Sequence, residues 1–143
     1  MKIRQLNGGP ERSFAVVLDS GEEAVSSLLS FARDHQVEAG RLTALGAFRQ
    51  VTLGWFDLAR KDYRRIRIDE QVELLSMVGD FATAEGEIRF HGHVVVGKSD
   101  GTAHGGHLLE AAVRPTLEVM VVDSPDHLRR EPDRQTGLAL LSV

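Results

Sequence analysis

Cysteine is absent from the 143-residue chain, and no apolar run approaches the roughly 18 residues that cross a membrane as a helix. The absence of cysteine excludes disulfide bonds, thiolate nucleophiles and zinc–thiolate sites, so any metal must bind histidine, aspartate or glutamate. The N-terminal stretch MKIRQLNGGP lacks the apolar centre of a signal peptide, which makes the cytoplasm the expected location.

An excess of positive charge is also absent, because the formal net charge is −4 with histidine neutral. Proteins that hold duplex DNA usually present a basic face, since neutralising phosphates supplies most of the affinity. The charge balance therefore argues against direct DNA recognition by one isolated subunit. The composition, 42% hydrophobic and 27% charged, is that of a soluble globular protein. No repeat or linker divides the chain, so we expect one domain over residues 1–143.

Hydrophobic patterning predicts one helix and many strands. Residues 13–19 form a short apolar run typical of a buried strand, and apolar residues at helical spacing then predict a helix over about 22–35. Ser20 and Glu23 precede the apolar positions of that helix in the pattern of a capping box. Further strands are predicted at 41–48, 50–57, 63–68, 72–78, 87–96, 116–122 and 137–143.

The order of these elements predicts the fold class. One strand and one helix are followed by strands alone, and the two strands on either side of Asp69 and Glu70 are expected to pair as a hairpin. This order predicts an α+β fold with a mainly antiparallel sheet and one main helix near the N-terminus. It does not fit a doubly wound parallel sheet, in which helices and strands alternate.

One stretch, residues 91–107 (HGHVVVGKSDGTAHGGH), matches three functional patterns. Residues 92–99 fit the phosphate-binding loop, but stiff β-branched residues fill its centre and no helix start follows. Residues 97–101 fit the nucleophile elbow of hydrolases, which needs a strand, a tight turn and a helix. Residues 99–101 are better explained as a hairpin turn, which argues against both patterns.

The histidines of this stretch agree with a strand, a turn and a returning strand. His91 and His93 are two residues apart, so on a strand they point to the same face, with Gly92 leaving room between them. The two glycines before His107 let the returning backbone approach closely. Three imidazoles can bind one ion at about 2.0–2.1 Å and leave a fourth position open, as in catalytic zinc sites. We therefore predict a divalent metal site, with zinc as the first choice, at His91, His93 and His107.

Neighbouring residues leave alternatives open at this site. Paired histidines on a strand are also common as hydrogen-bonded surface or interface residues. His104 is the weaker third ligand, because it lies in the turn-rich segment before the glycines. Glu110 and Glu118 are the nearest acids that could orient a ligand or act as a general base on bound water. A small molecule could occupy the open coordination position.

A second candidate site is the basic segment RKDYRRIR at 60–67. Five basic residues and a tyrosine within this segment could contact nucleic-acid phosphates. The acids close by in the sequence favour instead a solvated hairpin surface, the more common origin of such a run. The candidate DNA contacts are Arg60, Lys61, Arg64, Arg65 and Arg67.

Several segments together resemble the Plants and Prokaryotes Conserved (PPC) domain family over nearly the whole chain. They are GAFRQVTLGWF (46–56), VELLSMVG (72–79), HGHVVVGKSDG (91–101), GGHL (105–108), PTLEVMV (115–121) and RREPDRQTGLALL (129–141). The resemblance implies an α+β domain of acetolactate decarboxylase-like architecture that assembles as a homotrimer, with sites near the subunit boundaries. It also implies zinc at His91, His93 and His107, by analogy with the three zinc-binding histidines of acetolactate decarboxylase.

The departures from the family pattern matter for function. Plant members carry an AT-hook, R-G-R-P, that enters the DNA minor groove, and a G-R-F-E-I-L interaction motif. This chain has no AT-hook, and Gln71 and Val72 stand in the Arg and Phe places of the second motif, so it resembles the stand-alone prokaryotic form. One function class is a DNA-binding or regulatory module that acts through a trimer surface or through partners. The alternative is a zinc-dependent metalloenzyme, a hydrolase or decarboxylase acting on a small carbonyl or carboxylate substrate.

Overall fold

A computed structural model describes residues 1–124 and 127–142, apart from the side chains of residues 5–8. Within these residues the chain forms one helix and nine strands: β1 (Lys2–Gly8), β2 (Arg12–Asp19), α1 (Ala24–Asp34), β3 (Gly40–Asp57), β4 (Asp62–Ile68), β5 (Val72–Ala84), β6 (Glu87–Gly97), β7 (Ala103–Asp123), β8 (Arg129–Pro132) and β9 (Ala139–Ser142). All the described strands belong to one sheet, and they pair antiparallel except for the contact between β5 and β8. The α+β fold with a mainly antiparallel sheet is therefore confirmed.

The long strands β3 and β7 organise the sheet. They pair with each other, β5 lies on the other edge of β3, and β6 pairs with both β5 and β7. These four strands therefore form a closed circuit. The core that they enclose with β2 and the helix includes four phenylalanines that are at most 1% exposed: Phe14, Phe31, Phe48 and Phe81. The circuit also determines where β6 meets the start of β7, and the candidate histidines lie on these two strands.

The helix α1 packs an apolar face against the sheet, as its sequence spacing predicts. The buried residues of this face are Ala24, Leu28, Phe31 and Ala32. Glu23 caps the helix, because its carboxylate accepts a hydrogen bond from the backbone N–H of Ser26 at 2.7 Å. It also accepts one from the N–H of Ala111 on β7 at 3.1 Å, which ties the helix start to the sheet. The predicted capping box is therefore wrong: Glu23, not Ser20, is the N-cap, since the helix begins later than expected.

The pairing of β4 and β5 differs from the expected hairpin. β4 pairs with residues 51–57 of β3, and β5 pairs with residues 40–48 on the same edge of β3. The two strands therefore follow each other along one edge of β3, and the pairing predicted for 63–68 and 72–78 is wrong. The strands predicted separately at 41–48 and 50–57 are both parts of β3.

The ends of the chain add strands that hydrophobic patterning predicts only in part. The predicted strand at 116–122 is the second half of β7, and the predicted tail strand is present as β9, with residue 143 outside the described part. The sequence does not predict β1 and β8, because KIRQLNG and RREP are mostly polar. Across residues 1–124 and 127–142, no helix combines the length and apolar character needed to cross a bilayer.

Candidate metal centre

Three histidines converge where β6 meets the start of β7. His93 lies directly opposite His107 in the antiparallel pairing of the two strands. His91 precedes His93 by two residues on β6, so the two side chains point to the same face. The ring centroids are 4.9 Å apart for His91 and His93, 5.1 Å for His91 and His107, and 5.7 Å for His93 and His107. One ring nitrogen from each histidine lies within 4.8 Å of the other two. The geometry brings the three side chains together as the predicted strand and returning strand require.

The glycines of this region act differently from one another. Gly106 allows a close approach, because a Cβ there would lie 2.8 Å from the carbonyl oxygen of Gly54 on β3. Gly92 points away from the histidines, and the Phe90 ring occupies the space where its side chain would be. The expectation that Gly92 leaves room between His91 and His93 is therefore wrong. Gly92 instead accommodates an aromatic ring on the opposite face of β6.

Two residues that the sequence does not single out surround His91. Asp80 of β5 lies opposite His91 in the strand pairing. Arg130 of β8 donates from Nη2 to both carboxylate oxygens of Asp80, at 2.7 and 2.9 Å, and lies 3.2 Å from His91 Nδ1. Because a guanidinium only donates hydrogen bonds, His91 Nδ1 must be the acceptor. This contact occupies Nδ1 and leaves Nε2 as the ring nitrogen available to an ion.

His107 is held by an aromatic neighbour. Its ring stacks on Tyr63 of β4 at a centroid distance of 4.7 Å and an interplanar angle of 20°. Its Nδ1 is buried and has no hydrogen-bond partner among the described residues. A buried, unpartnered imidazole nitrogen is unfavourable unless an ion, a water molecule or a ligand satisfies it. The donor set and this nitrogen together fit a metal ion.

The protonation of the cluster also suits a cation. Burial lowers the pKa of His107 to about 4, and repulsion from His91, His93 and Arg130 adds to the effect. Burial and the Arg130 charge likewise lower the pKa of His91, although Asp80 opposes this shift. Both imidazoles are therefore neutral near pH 7, and the neutral form is the one that binds metal.

We expect acid to destabilise the metal-free protein through His107. Its pKa is about 4 in the fold and about 6.5 when unfolded, so the unfolded chain binds more protons between these values. The free energy of unfolding should therefore fall as the pH falls from about 6.5 towards about 4. Urea unfolding at a series of pH values measures this slope. A His107→Gln variant should show a smaller slope between pH ~6.5 and ~5, and identical slopes would contradict the expectation.

The other residues predicted around the histidines lie elsewhere. Glu110 forms an ion pair with Arg65 of β4 at 2.6 Å, and Glu118 lies near the far end of β7, opposite Leu45. Neither acid contacts the three histidines within the described residues, and Asp80 is the carboxylate beside His91. His104 is exposed on the opposite face of β7 from His107, because the two are three positions apart in a regular pairing.

The basic segment does not form one continuous basic face. Its five basic residues lie on β4 and in the turn before it: Arg60, Lys61, Arg64, Arg65 and Arg67. Arg65 is paired with Glu110, and Arg67 lies 3.4 Å from Asp69. Arg64 points to the other face of β4, opposite Trp55 of β3. The segment therefore divides its charge between two faces of an edge strand, and part of it is already neutralised.

Solved structures with the same fold cover nearly the whole chain. A protein from Bacteroides thetaiotaomicron, described as a candidate DNA-binding protein, is 25% identical with a TM-score of 0.88, covering 98% of this chain and 96% of its own. A metal-containing protein from Archaeoglobus fulgidus is 33% identical with a TM-score of 0.85, covering 92% and 93%. A plant- and prokaryote-conserved (PPC) protein from Pyrococcus horikoshii is 24% identical with a TM-score of 0.87, covering 99% and 95%.

The fold also extends to a more distant protein. A Staphylococcus aureus protein of unknown function, similar to α-acetolactate decarboxylase, matches 75% of this chain and 50% of its own at 16% identity and a TM-score of 0.55. This likeness confirms the expected architecture and carries no further meaning. A search of curated proteins gave no match. The family model described as the Plants and Prokaryotes Conserved (PCC) domain matches residues 5–125, and the chain therefore belongs to this family, which is also abbreviated PPC.

Proposed function

We propose that this PPC-domain protein binds a divalent metal ion, zinc as the first choice, through His91, His93 and His107. The observation that carries the proposal is the convergence of three imidazole nitrogens within 4.8 Å. Tetrahedral zinc with bonds of about 2.0–2.1 Å needs nitrogens about 3.4 Å apart, so small side-chain rotations suffice. The metal-containing relative from Archaeoglobus fulgidus supports the same proposal.

Three protein ligands leave a coordination position for water or for a small molecule. A bound ion would supply Lewis-acid chemistry towards a carbonyl or carboxylate oxygen, which is the chemistry of the metalloenzyme alternative. The chain's own residues orient the ligands: Asp80 and Arg130 fix the ring of His91, and Tyr63 holds the ring of His107. A hydrolase or decarboxylase acting on a small substrate would use this open side of the site.

Metal analysis of the protein purified without a histidine tag tests this proposal. We expect about one zinc ion per chain, and a cobalt-substituted form should show the visible absorption of a nitrogen-ligated tetrahedral ion. Removing the ion with a chelator should lower the melting temperature, because an ion bound only to the native state stabilises it. Substoichiometric metal that does not rise after incubation with zinc or cobalt would refute the site.

We also propose that the protein is a homotrimer that associates through an outer apolar face. This face, on the side of the sheet away from α1, consists of Leu45, Val78, Val95 and Met120, all more than 40% exposed. Val78 and Met120 both lie opposite Thr43, and Val78 also lies opposite His93, so the face continues into the candidate metal site. Contiguous exposed apolar surface of this kind marks an interaction site. Association here would put the histidines near a subunit boundary.

Introducing a charge into the outer apolar face should break the assembly. A Met120→Glu variant would bury an unpaired carboxylate in the interface, so we expect its mass by light scattering to fall from three times 15.7 kDa to one chain. Leu58→Glu is the matched control, because Leu58 is 66% exposed in the turn after β3, outside that face. Equal masses for the two variants would argue against this interface.

DNA binding is the second candidate function, favoured by relatives described as candidate DNA-binding proteins. Arg64 is the best-placed contact, because no ion pair occupies it within the described residues and Trp55, 59% exposed, lies beside it for stacking on a base. A gel-shift assay at about 50 and 200 mM salt tests this function. Binding should weaken steeply with salt and weaken again in Arg64→Gln. Absence of binding at ~50 mM salt would exclude direct recognition.

A further inference from the structure

A cavity of about 400 Å³ opens beside the candidate metal site. His91, His107 and Tyr63 line one side of it, and the β8–β9 hairpin forms the opposite wall. The hairpin wall is apolar, with Pro132, Leu138 and Leu140. A concave, mostly apolar space with a few convergent polar groups is typical of small-molecule sites.

Arg130 is the charged group built into this cavity. Its side chain is only 8% exposed, although a guanidinium is rarely buried without full pairing. Nη2 donates hydrogen bonds to Asp80 and His91, and Nη1 donates one to the carbonyl oxygen of Ala139 at 3.1 Å. The Nε–H is buried and has no partner among the residues that the structure describes. An unused donor on a buried cation is unfavourable, and an anionic ligand would satisfy it.

A second arginine makes the cavity more attractive to an anion. Arg89 lines it two residues before His91, on the same face of β6. No ion pair joins Arg89 to any residue in the described part of the chain, so its charge is not neutralised by a fixed partner. Glu85, in the turn between β5 and β6, is the acid among the lining residues and is exposed. Because Asp80 already pairs with Arg130, Arg89 is the lining cation without a fixed acidic partner in the described part of the chain, and exposed Glu85 is the lining acid that opposes it.

We propose that this cavity binds a small carboxylic acid with an apolar body, whose carboxylate is held by Arg130 and whose body lies against the β8–β9 hairpin. The proposal rests on the proposed metal function, since the bound acid would adjoin the open coordination position. Only the Nε–H of Arg130 lacks a partner, so a carboxylate would accept one charge-assisted hydrogen bond from it. A phosphate dianion would bring a larger negative charge close to Asp80, with one buried arginine to balance both. The hairpin lies outside residues 5–125, the part that the family model matches.

Calorimetric titration of the zinc-loaded protein with benzoate tests the proposal, with benzamide as the uncharged probe of equal shape and inorganic phosphate as the second anion. We expect benzoate to bind at least ~10-fold more tightly than benzamide or phosphate. An Arg130→Met variant should lose at least ~10-fold in benzoate affinity, and Arg130→Lys should fall between, because lysine keeps the charge but has no donor at the position of the Nε–H. Arg33→Met is the matched control, since Arg33 lies in the last turn of α1 and does not line the cavity.

The outcomes separate this proposal from the proposed metal function. Benzoate binding that needs Arg130 in both the zinc-loaded and the metal-free protein supports the acid site even if no zinc is taken up. Zinc uptake without benzoate binding, or benzamide binding as tight as benzoate, would overturn the acid site and leave the metal site intact. The benzoate and benzamide comparison uses the unaltered protein, so it decides the matter even if Arg130→Met does not fold.

Discussion

Replacing His93 with alanine should reduce zinc affinity by more than ~100-fold, the loss that removing even an outer-shell partner can cause. His93 is the cleanest of the three ligands to remove, because it is exposed and its loss leaves little buried space. His91 and His107 alone would hold an ion with two nitrogens, and water would have to supply the remaining positions. Competition titrations with a zinc-binding dye measure the two affinities.

His104 provides the matched control for this experiment. His104 lies on β7, opposite Val96 of β6, and is exposed like His93, but it points to the face of β7 opposite to that of His107. His104→Ala should therefore keep the zinc affinity of the unaltered protein within about twofold. Each variant loses one exposed histidine, so a difference between them does not come from non-specific zinc binding at surface histidines. A double variant, His91→Ala with His93→Ala, should bind no measurable zinc. Equal zinc content in the double variant and in the unaltered protein would refute the three-histidine site.

The histidine cluster could be predicted from the sequence because it depends on local rules. The alternation of side chains along a strand places residues 91 and 93 together, and a turn at 99–101 reverses the chain at a distance that brings residue 107 opposite 93. The same alternation places residues 90 and 92 on the face opposite His91 and His93, so the direction of Gly92 was open to prediction as well. The position of the Phe90 ring over Gly92 was not, because it depends on what packs beneath the strand.

Asp80 and Arg130 could not be found from the sequence, although they complete the site. Asp80 lies within a strand that carries no motif, and its position beside His91 follows from the register of β5 against β6. Arg130 is 39 residues from His91 and reaches it through β8, a short polar strand with weak patterning. The same limit explains the wrong β4–β5 hairpin, because either strand has the pattern to pair with its sequence neighbour. Both strands pair with β3 instead because of the tertiary packing of the whole sheet, which the local sequence pattern does not specify.

A methyl group added at Gly79 should damage the fold and the metal site together. Gly79 lies opposite Gly92 in the pairing of β5 with β6, next to the pairs that hold His91 and His93. A Cβ at this position would lie 2.5 Å from the carbonyl oxygen of His91 and 3.1 Å from Cα of Gly92. Both neighbours are backbone atoms of the strand that carries two of the ligands, so they cannot rotate away as a side chain could. The strand itself must move.

We therefore expect Gly79→Ala to lower the free energy of unfolding of the metal-free protein by about 3 kcal/mol, at the upper end of overpacking effects. The displaced β6 should also misplace His91 and His93, so zinc affinity should fall by at least ~10-fold in the fraction that folds. Gly9→Ala is the control, because a Cβ there would meet no atom within 4 Å. Urea unfolding without metal measures stability, and zinc titration of the folded protein measures the site. Unchanged stability of Gly79→Ala would show that β5 and β6 are further apart than this pairing requires. Normal zinc affinity in a stable variant would show that zinc binding does not depend on the position of β6 against β5.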